Sequence, residues 1–293
     1  MSKQISNSGK DSSMSLSNTI HKVFRHIVCI FLCILSLFPF IIMIVNSTRS
    51  NIQIQSSFSV IPSTYFVSNF HKLLAQCNRT VPIWRYMLNS LIISGFSTVL
   101  SVYFSTMTAY GVTVYKFKGR KMAWAFIMAI LMIPTQVSIV GFFQFMYKLG
   151  FGNSYIPLII PAIAAPSVVF FMKQYMESAL PLEIIDAARI DGSGEFKTFN
   201  NIAMPLMKPA VATQAIFAFI LSWNNLFTPS MLLTGQKKYT LPMFIQQMRG
   251  ERFRTDYGII YVGLVITIMP IFIVYFALSR YIIAGVALGG VKE

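Results

Sequence analysis

The sequence predicts an all-α integral membrane protein with six transmembrane helices, and three observations carry that prediction. Of 293 residues, 24 are Lys or Arg and 9 are Asp or Glu. That charged share of 11% is less than half of the roughly 25% usual in a soluble domain. The remainder is 55% hydrophobic, and the mean hydropathy is +0.62. Second, six intervals carry no charge at all: 26–48, 86–115, 122–147, 149–172, 209–236 and 257–279. Each has at least 23 residues, and a helix needs about 20 to cross the hydrocarbon core. Third, these segments are too long and too evenly apolar for barrel strands of about ten alternating residues.

Taken in order, the spans are expected at 26–45, 87–111, 122–146, 155–173, 209–233 and 258–280. Residues 1–20, rich in Ser, Asn and Lys, read as a disordered N-terminus, and 21–293 as one membrane domain. Lys22 and Arg25 precede the first span as they would a secretory signal. However, Ile27 to Val45 is longer than a signal core, and no alanine occurs before Ala75, so an uncleaved helix is expected. Cys29 and Cys33 follow His26 by about one and two turns and read as small apolar residues of a helix face, with no metal site. Cys77 stands alone, so no disulfide framework is implied. Asn46-Ser47-Thr48 and Asn78-Arg79-Thr80 match the short glycosylation pattern.

The second span places Ser97, Ser101 and Ser105 in one line, with Ser90, Ser94 and Thr98 beside it. Such a stripe is either a polar wall of a solute path or a seam of close helix packing. Gly150, Gly152 and Asn153 make the short turn between spans three and four. Pro157, Pro161 and Pro166 predict a kinked fourth span. Trp223, Asn224 and Asn225 fall within the fifth. An aromatic face with amides suits a sugar, and it equally suits a seam against another subunit. The 234–257 outer loop is too long and polar for a plain turn.

Charge placement sets the orientation. With the N-terminus inside, 14 basic residues lie on the inner side and 10 on the outer. The short 116–121 segment, with Lys116, Lys118, Arg120 and Lys121, weights the inner side most. Both termini are therefore expected in the cytoplasm. The basic residues are scattered over short loops and form no basic helix, so nucleic acid is not an expected partner; lipid headgroups are.

Five of the nine acids, Glu177, Glu183, Asp186, Asp191 and Glu195, fall within 19 residues. None of the nine lies inside an expected span, which argues against proton- or sodium-coupled transport. The acids cluster in the inner loop 174–208. Pro181 can open a short helix, with Glu183 near its positive end. Leu182, Ile185, Ala188 and Arg189 share a face. Gly192-Ser193-Gly194 stops that helix, and Ser193 can cap a second one carrying Phe196, Phe199 and Ile202 on one side. The loop thus reads as two amphipathic helices around a glycine elbow.

Asp186-Ala187-Ala188, three residues, Gly192, nine residues and Ile202-Ala203-Met204-Pro205 resemble the EAA loop of bacterial ATP-binding-cassette importer permeases. Every spacing agrees; Asp186 replaces the family Glu and Met204 the family Leu. Further stretches resemble the carbohydrate, maltose-transporter-type branch: Ile133-Pro134-Thr135-Gln136, Ala187-Ala188-Arg189-Ile190-Asp191-Gly192, Pro205 to Pro209, Ser222-Trp223-Asn224-Asn225, Tyr239-Thr240-Leu241-Pro242 and Arg280 to Gly285. The resemblance covers roughly residues 25–293.

The resemblance implies a type I importer permease in the plasma membrane of a bacterium. It implies a coupling helix with Glu183, Asp186, Ala187, Ala188, Asp191 and Gly192 docking into an ATPase subunit. Implied partners are a second homologous permease, two ATPase subunits, an extracytoplasmic binding protein that the outer loop would contact, and a sugar. On the chemistry of their side chains, and apart from the resemblance, Trp223, Asn224 and Asn225 are the candidates for the solute path. No catalytic residue is expected in this chain. No P-loop string occurs, and Gly192-x-Gly194 has no third glycine at 197. ATP and Mg are therefore assigned to the partners, with no cofactor or metal here. The rival readings are the same architecture with a polyol, glycerol phosphate or uronic acid oligomer as solute, an ion-coupled carrier, and a membrane enzyme.

Overall fold

The computed structural model describes residues 5–78, 81–249 and 255–289; the described residues are mostly helical and include no strand. Residues 1–4 of the expected N-terminal tail, Arg79-Thr80, 250–254 of the outer loop and the end of the tail from 290 lie outside them. The helices are α1 (Ile5–Ser47), α2 (Asn51–Ser56), α3 (Phe66–Asn78), α4 (Ile83–Val114), α5 (Arg120–Leu131), α6 (Thr135–Lys148), α7 (Ile156–Ile159), α8 (Pro166–Ala179), α9 (Leu182–Ile190), α10 (Glu195–Thr198), α11 (Met204–Leu206), α12 (Lys208–Trp223), α13 (Phe227–Leu232), α14 (Leu241–Met248) and α15 (Tyr257–Gly289). They fall into two compact units, one reaching to His71 with Asp256–Val265, the other Lys72–Thr255 with the chain from Ile266 onward.

In the first unit α1 exposes apolar side chains all round between Val23 and Ile41, as a lipid-facing helix does. It begins at Ile5, so residues 5–20 continue the helix where composition suggested disorder. Ser and Asn each cost a helix only about 0.5 kcal/mol, and growth from an existing helix needs no new nucleus. The far end of α1 is tied by polar groups. The buried Arg49 guanidinium donates to the carbonyls of Gln53 at 2.7 Å and Ser57 at 2.8 Å. The Asn69 amide donates to the carbonyls of Ser47 at 3.0 Å and Arg49 at 2.9 Å. A Cβ on Gly258 would stand 2.7 Å from Asn69 Nδ2 and 2.9 Å from Arg49 O, so only glycine lets α15 start this close. Asn46 is buried and accepts from Arg49 at 3.2 Å, so its glycosylation pattern is not presented to solvent.

In the second unit α4 is the central helix, packed against α8 and α12. Its serine stripe is a packing seam. Ser90, Ser94, Ser97, Ser101 and Ser105 are all buried, and small side chains let the helix backbones approach. The hydroxyls also serve backbone groups at irregular places. Ser97 donates to the carbonyl of Leu158 at 3.0 Å and Ser105 to that of Ala165 at 3.3 Å. Both carbonyls lie where Pro157, Pro161 and Pro166 interrupt the ladder between α7 and α8. These bonds pin α4 to the irregular backbone there, where Ala165 O also accepts from the N–H groups of Val168 and Val169 at 3.0 Å.

Four described helices are long and apolar enough to cross a membrane alone: His21–Ser47, Ile83–Val114, Ile156–Ala179 and Tyr257–Tyr281. The expected third and fifth spans are not continuous helices. The third breaks between α5 and α6 at Met132–Pro134, because Pro134 has no N–H for the carbonyl of Ile130. The fifth ends at Trp223. The Asn225 side chain accepts from Thr228 N–H at 3.1 Å and starts α13, competing with continuation of α12. Where the chain enters this segment, Glu195–Leu206 and Lys208–Trp223 meet at 82°.

Candidate functional site

The 174–208 loop folds as the expected elbow, and its first helix ends for the expected reason. Gly192 takes φ +78°. Ser193 N–H reaches back to Ala188 O at 2.9 Å and Gly192 N–H to Arg189 O at 3.0 Å, the paired bonds of a glycine-terminated helix. The second helix differs from expectation. Its N-cap is Gly194, not Ser193, and Ser193 Oγ lies 2.9 Å from the Thr198 hydroxyl. A π-turn over Phe199–Ala203 adds a residue to the turn and shifts the register. Phe196, ahead of that turn, is exposed while Phe199 is buried, so the two do not share a side.

The elbow is keyed into the bundle. Ile185 is fully buried and Phe199 is 2% exposed. They join one apolar cluster with Ala109 and Tyr110 of α4, Met172 and Met176 of α8, and Ala203, Met207 and Ala210 on the way into α12. Ala188 points inward as well, at 6% exposure, so it lets α9 lie close to the bundle instead of meeting a partner. Glu183, Asp186, Ala187, Asp191 and Gly192 remain on the outside. Beside them Ile184, Ile190 and Phe196 are exposed apolar side chains, Ile190 at 87%. The outward side is thus acidic with an apolar centre.

A polar clamp closes the elbow. Arg189 Nε donates to Glu195 Oε1 at 2.9 Å, Nη2 to Glu195 Oε2 at 3.3 Å, and Nη1 to Asp186 Oδ1 at 3.1 Å. Tyr115, just past α4, donates its hydroxyl to Glu195 Oε2 at 2.7 Å, and its ring lies 5.6 Å from the guanidinium. Hydrogen bonds from Arg189 and then Tyr115 hold the Glu195 carboxyl below the usual range. Burial first, then the bond to Glu195, pushes Tyr115 up to about 12. The bond to Glu195 raises Arg189 further. The segment just past α4, α9 and α10 are thus joined. A cleft of about 260 Å³ lies among Tyr115, Lys116, Leu182, Ile185, Asp186 and Arg189. Sequence reasoning singled out Asp186 but missed the clamp. Tyr115 lies 80 residues from Glu195, and no periodicity links them.

The expected path residues separate. Trp223 is 1% exposed; its indole N–H donates to Thr267 O at 3.0 Å and its ring stacks on Phe219 at 5.6 Å. With its donor used and its faces covered, it is a packing residue and offers no face to a sugar. Asn224 is exposed. Asn225, with Thr228, Ser138, Phe142, Pro157 and Pro161, lines a cavity of about 410 Å³ where the breaks of α5–α6, α7 and α12–α13 converge. Irregular backbone at membrane depth is tolerated where it is buried in protein or lines a wet cavity.

Broken apolar helices around a seamed central helix, with a helical elbow locked into their core at one end, define a multi-pass membrane protein. The chain matches the family described as binding-protein-dependent transport system inner membrane component over residues 101–287, and it belongs to that family. It is 38% identical over 265 residues to the arabinooligosaccharides transport system permease protein AraQ of Halalkalibacterium halodurans, covering 89% of this chain and 93% of the relative. It is 30% identical to the trehalose/maltose transport system permease protein MalG of Thermococcus litoralis, covering 93% and 98%. The fold resembles a chain in the crystal structure of a bacterial ABC transporter involved in the import of the acidic polysaccharide alginate. That TM-score is 0.75 at 22% identity, over 90% of this chain and 97% of the other. The family is one of transport permeases, not of enzymes.

Proposed function

We propose that this chain is the permease subunit of an ATP-driven sugar importer, with an oligosaccharide as its cargo. The observation that carries the reading is the elbow: acidic and apolar outside, bolted to α4, α8 and α12 inside. Glu183, Asp186, Ala187, Asp191 and the turn at Gly192 form the docking side, on which Ile184 and Ile190 can seat in an apolar groove and the acids can pair with basic groups. Ala188, with Ile185, transmits the movement inward. ATP and Mg, bound by two partner ATPase subunits, supply the free energy. This chain converts the displacement of α9 into tilting of the helices that share its core cluster, opening a path outward and then inward. A second, homologous permease completes the path, and an extracytoplasmic binding protein delivers the sugar to the outer segment 234–257.

Six crossings of a bacterial plasma membrane with both termini in the cytoplasm accommodate the two broken spans. The sugar assignment draws on the sugar-permease relatives. It also draws on the cavity at Asn225, Thr228 and Ser138, none of whose lining residues is charged. A neutral lining favours a neutral solute over glycerol phosphate or a uronic acid oligomer, since a charge there would be left without a partner. Uptake of labelled oligosaccharide into proteoliposomes holding the complete complex tests the reading. ATP should drive it, and Asp186→Lys should leave hydrolysis running while uptake fails. Uptake driven by a proton or sodium gradient without ATP would exclude it.

A further inference from the structure

We propose that the cleft between the ends of α4, α5 and α8 is a binding site for the headgroup of an anionic phospholipid. The cleft encloses about 360 Å³ and is lined by Val112 of α4, Arg120, Lys121 and Trp124 of α5, and Lys173 of α8. Three of the five lining residues are cationic. Lys173 is buried to 8% exposure, ion-paired with Glu177, and its ammonium stands 4.5 Å from the centre of the Trp124 ring. Trp124 in turn stacks on Phe170 of α8 at 6.0 Å. These contacts hold one wall of the cleft in place. Arg120 and Lys121 have no carboxylate partner among the described residues. Lys116 and Lys118 add to the positive field from the same short loop. One carboxylate against three cations leaves the cleft able to take an anion.

The surroundings select a lipid over a soluble anion. From the rim of the cleft a stripe of exposed apolar side chains runs along α5. Met122, Phe126 and Ile130 are spaced four apart and are 75%, 67% and 37% exposed. Such spacing puts them on one side of the helix. An anionic lipid places phosphate at the basic rim and acyl chains along that stripe, while Trp124 sits at the level where indoles favour the membrane interface. A basic pocket between membrane helices next to the polar boundary is the kind of geometry that recognises lipid headgroups. A free phosphate would leave the stripe unused. The site does not depend on which solute is carried or on the ATPase docking assigned to α9.

The test uses the full-length protein purified in detergent, probed by native mass spectrometry with phosphatidylglycerol and phosphatidylcholine at equal concentration. Wild type should retain phosphatidylglycerol in preference. Arg120→Gln with Lys121→Gln should cut that preference about twenty-five-fold, about five-fold for each basic residue near an anionic surface. Lys148→Gln, an exposed basic residue at the other end of the α5–α6 segment, should leave it unchanged. Should the double variant fail to fold, Lys121→Glu at an exposed position should abolish the preference by charge reversal. Equal retention of the two lipids by wild type, or an undiminished preference in a folded variant at Arg120 and Lys121, overturns the proposal. Displacement of the lipid by inorganic phosphate at matched concentration would also overturn it, by identifying a soluble anion as the ligand.

Discussion

Replacing Ile185 by alanine isolates the mechanical claim about the elbow. Ile185 is fully enclosed and shares its cluster with Met172, Met176 and Phe199. Truncating such a side chain costs about 2–5 kcal/mol, depending on how far the site can collapse. The clamp at Arg189 is only partly buried, with its side chain 33% exposed and that of Glu195 47% exposed. Surface ion pairs are worth about 0–1 kcal/mol. The apolar key therefore outweighs the polar clamp, and Ile185→Ala should free α9 from the bundle while α9 still offers Asp186 to its partner. The reconstituted complex is expected to assemble and hydrolyse ATP, but to move several-fold less solute per ATP. Ile185→Leu conserves volume and costs less than about 1.5 kcal/mol, so it should keep most of the coupling. Solute uptake and phosphate release measured on the same proteoliposomes give the ratio. An assembled Ile185→Ala complex with the wild-type ratio would refute the argument that α9 acts through this contact.

Gly192→Ala should destabilise the detergent-solubilised protein by about 1–2 kcal/mol, because alanine is strained at φ +78° and no neighbour within 4 Å adds a clash. Gly194→Ala, at φ −66°, meets no left-handed strain and should cost less, about 0.5–1 kcal/mol for the weaker N-cap, and thermal midpoints compare the two. Between pH 5 and 9 the clamp should not respond to pH. A lowered folded-state carboxyl such as Glu195 contributes stability above its ordinary value of about 4.3, lost only as pH falls through the lower folded value. Tyr115, raised to about 12, contributes fully below its ordinary value near 10 and loses that contribution as pH rises towards 12. An ultraviolet difference titration of wild type against Tyr115→Phe should show the late-ionising phenol. Trp223→Ala should cost about 3–5 kcal/mol of stability and leave solute affinity unchanged in complexes that still assemble; an assembled variant with weakened affinity would return Trp223 to the path.

The helical membrane class was legible because charge exclusion over twenty or more residues is a one-dimensional property, read without knowing what packs against what. The elbow was legible for a similar local reason. Gly192 marks a left-handed turn whatever surrounds it, and the spacing from Asp186 to Pro205 lies within one short stretch. Breaks in the spans were only half legible. The prolines of α7 and α8 announced themselves, whereas Pro134 was passed over and the stop at Trp223 depends on how Asn225 caps the next helix. The serine stripe of α4 left two readings open. Its placement against Leu158 and Ala165 selected packing.

By itself the sequence determined the solvent in which each segment lives and the chain's local punctuation, since hydropathy, charge and the backbone limits of Gly and Pro act within a few residues. Only the tertiary structure decided which residues turn into the core and which stay outside. Ile185 and Ala188 turned inward while Asp186 stayed outside; Tyr115 and Glu195 met across the elbow; Trp223 was sealed against Thr267 and Phe219. Those outcomes depend on side chains from distant helices competing for the same volume and the same hydrogen bonds, and that competition leaves no periodic trace in a single chain.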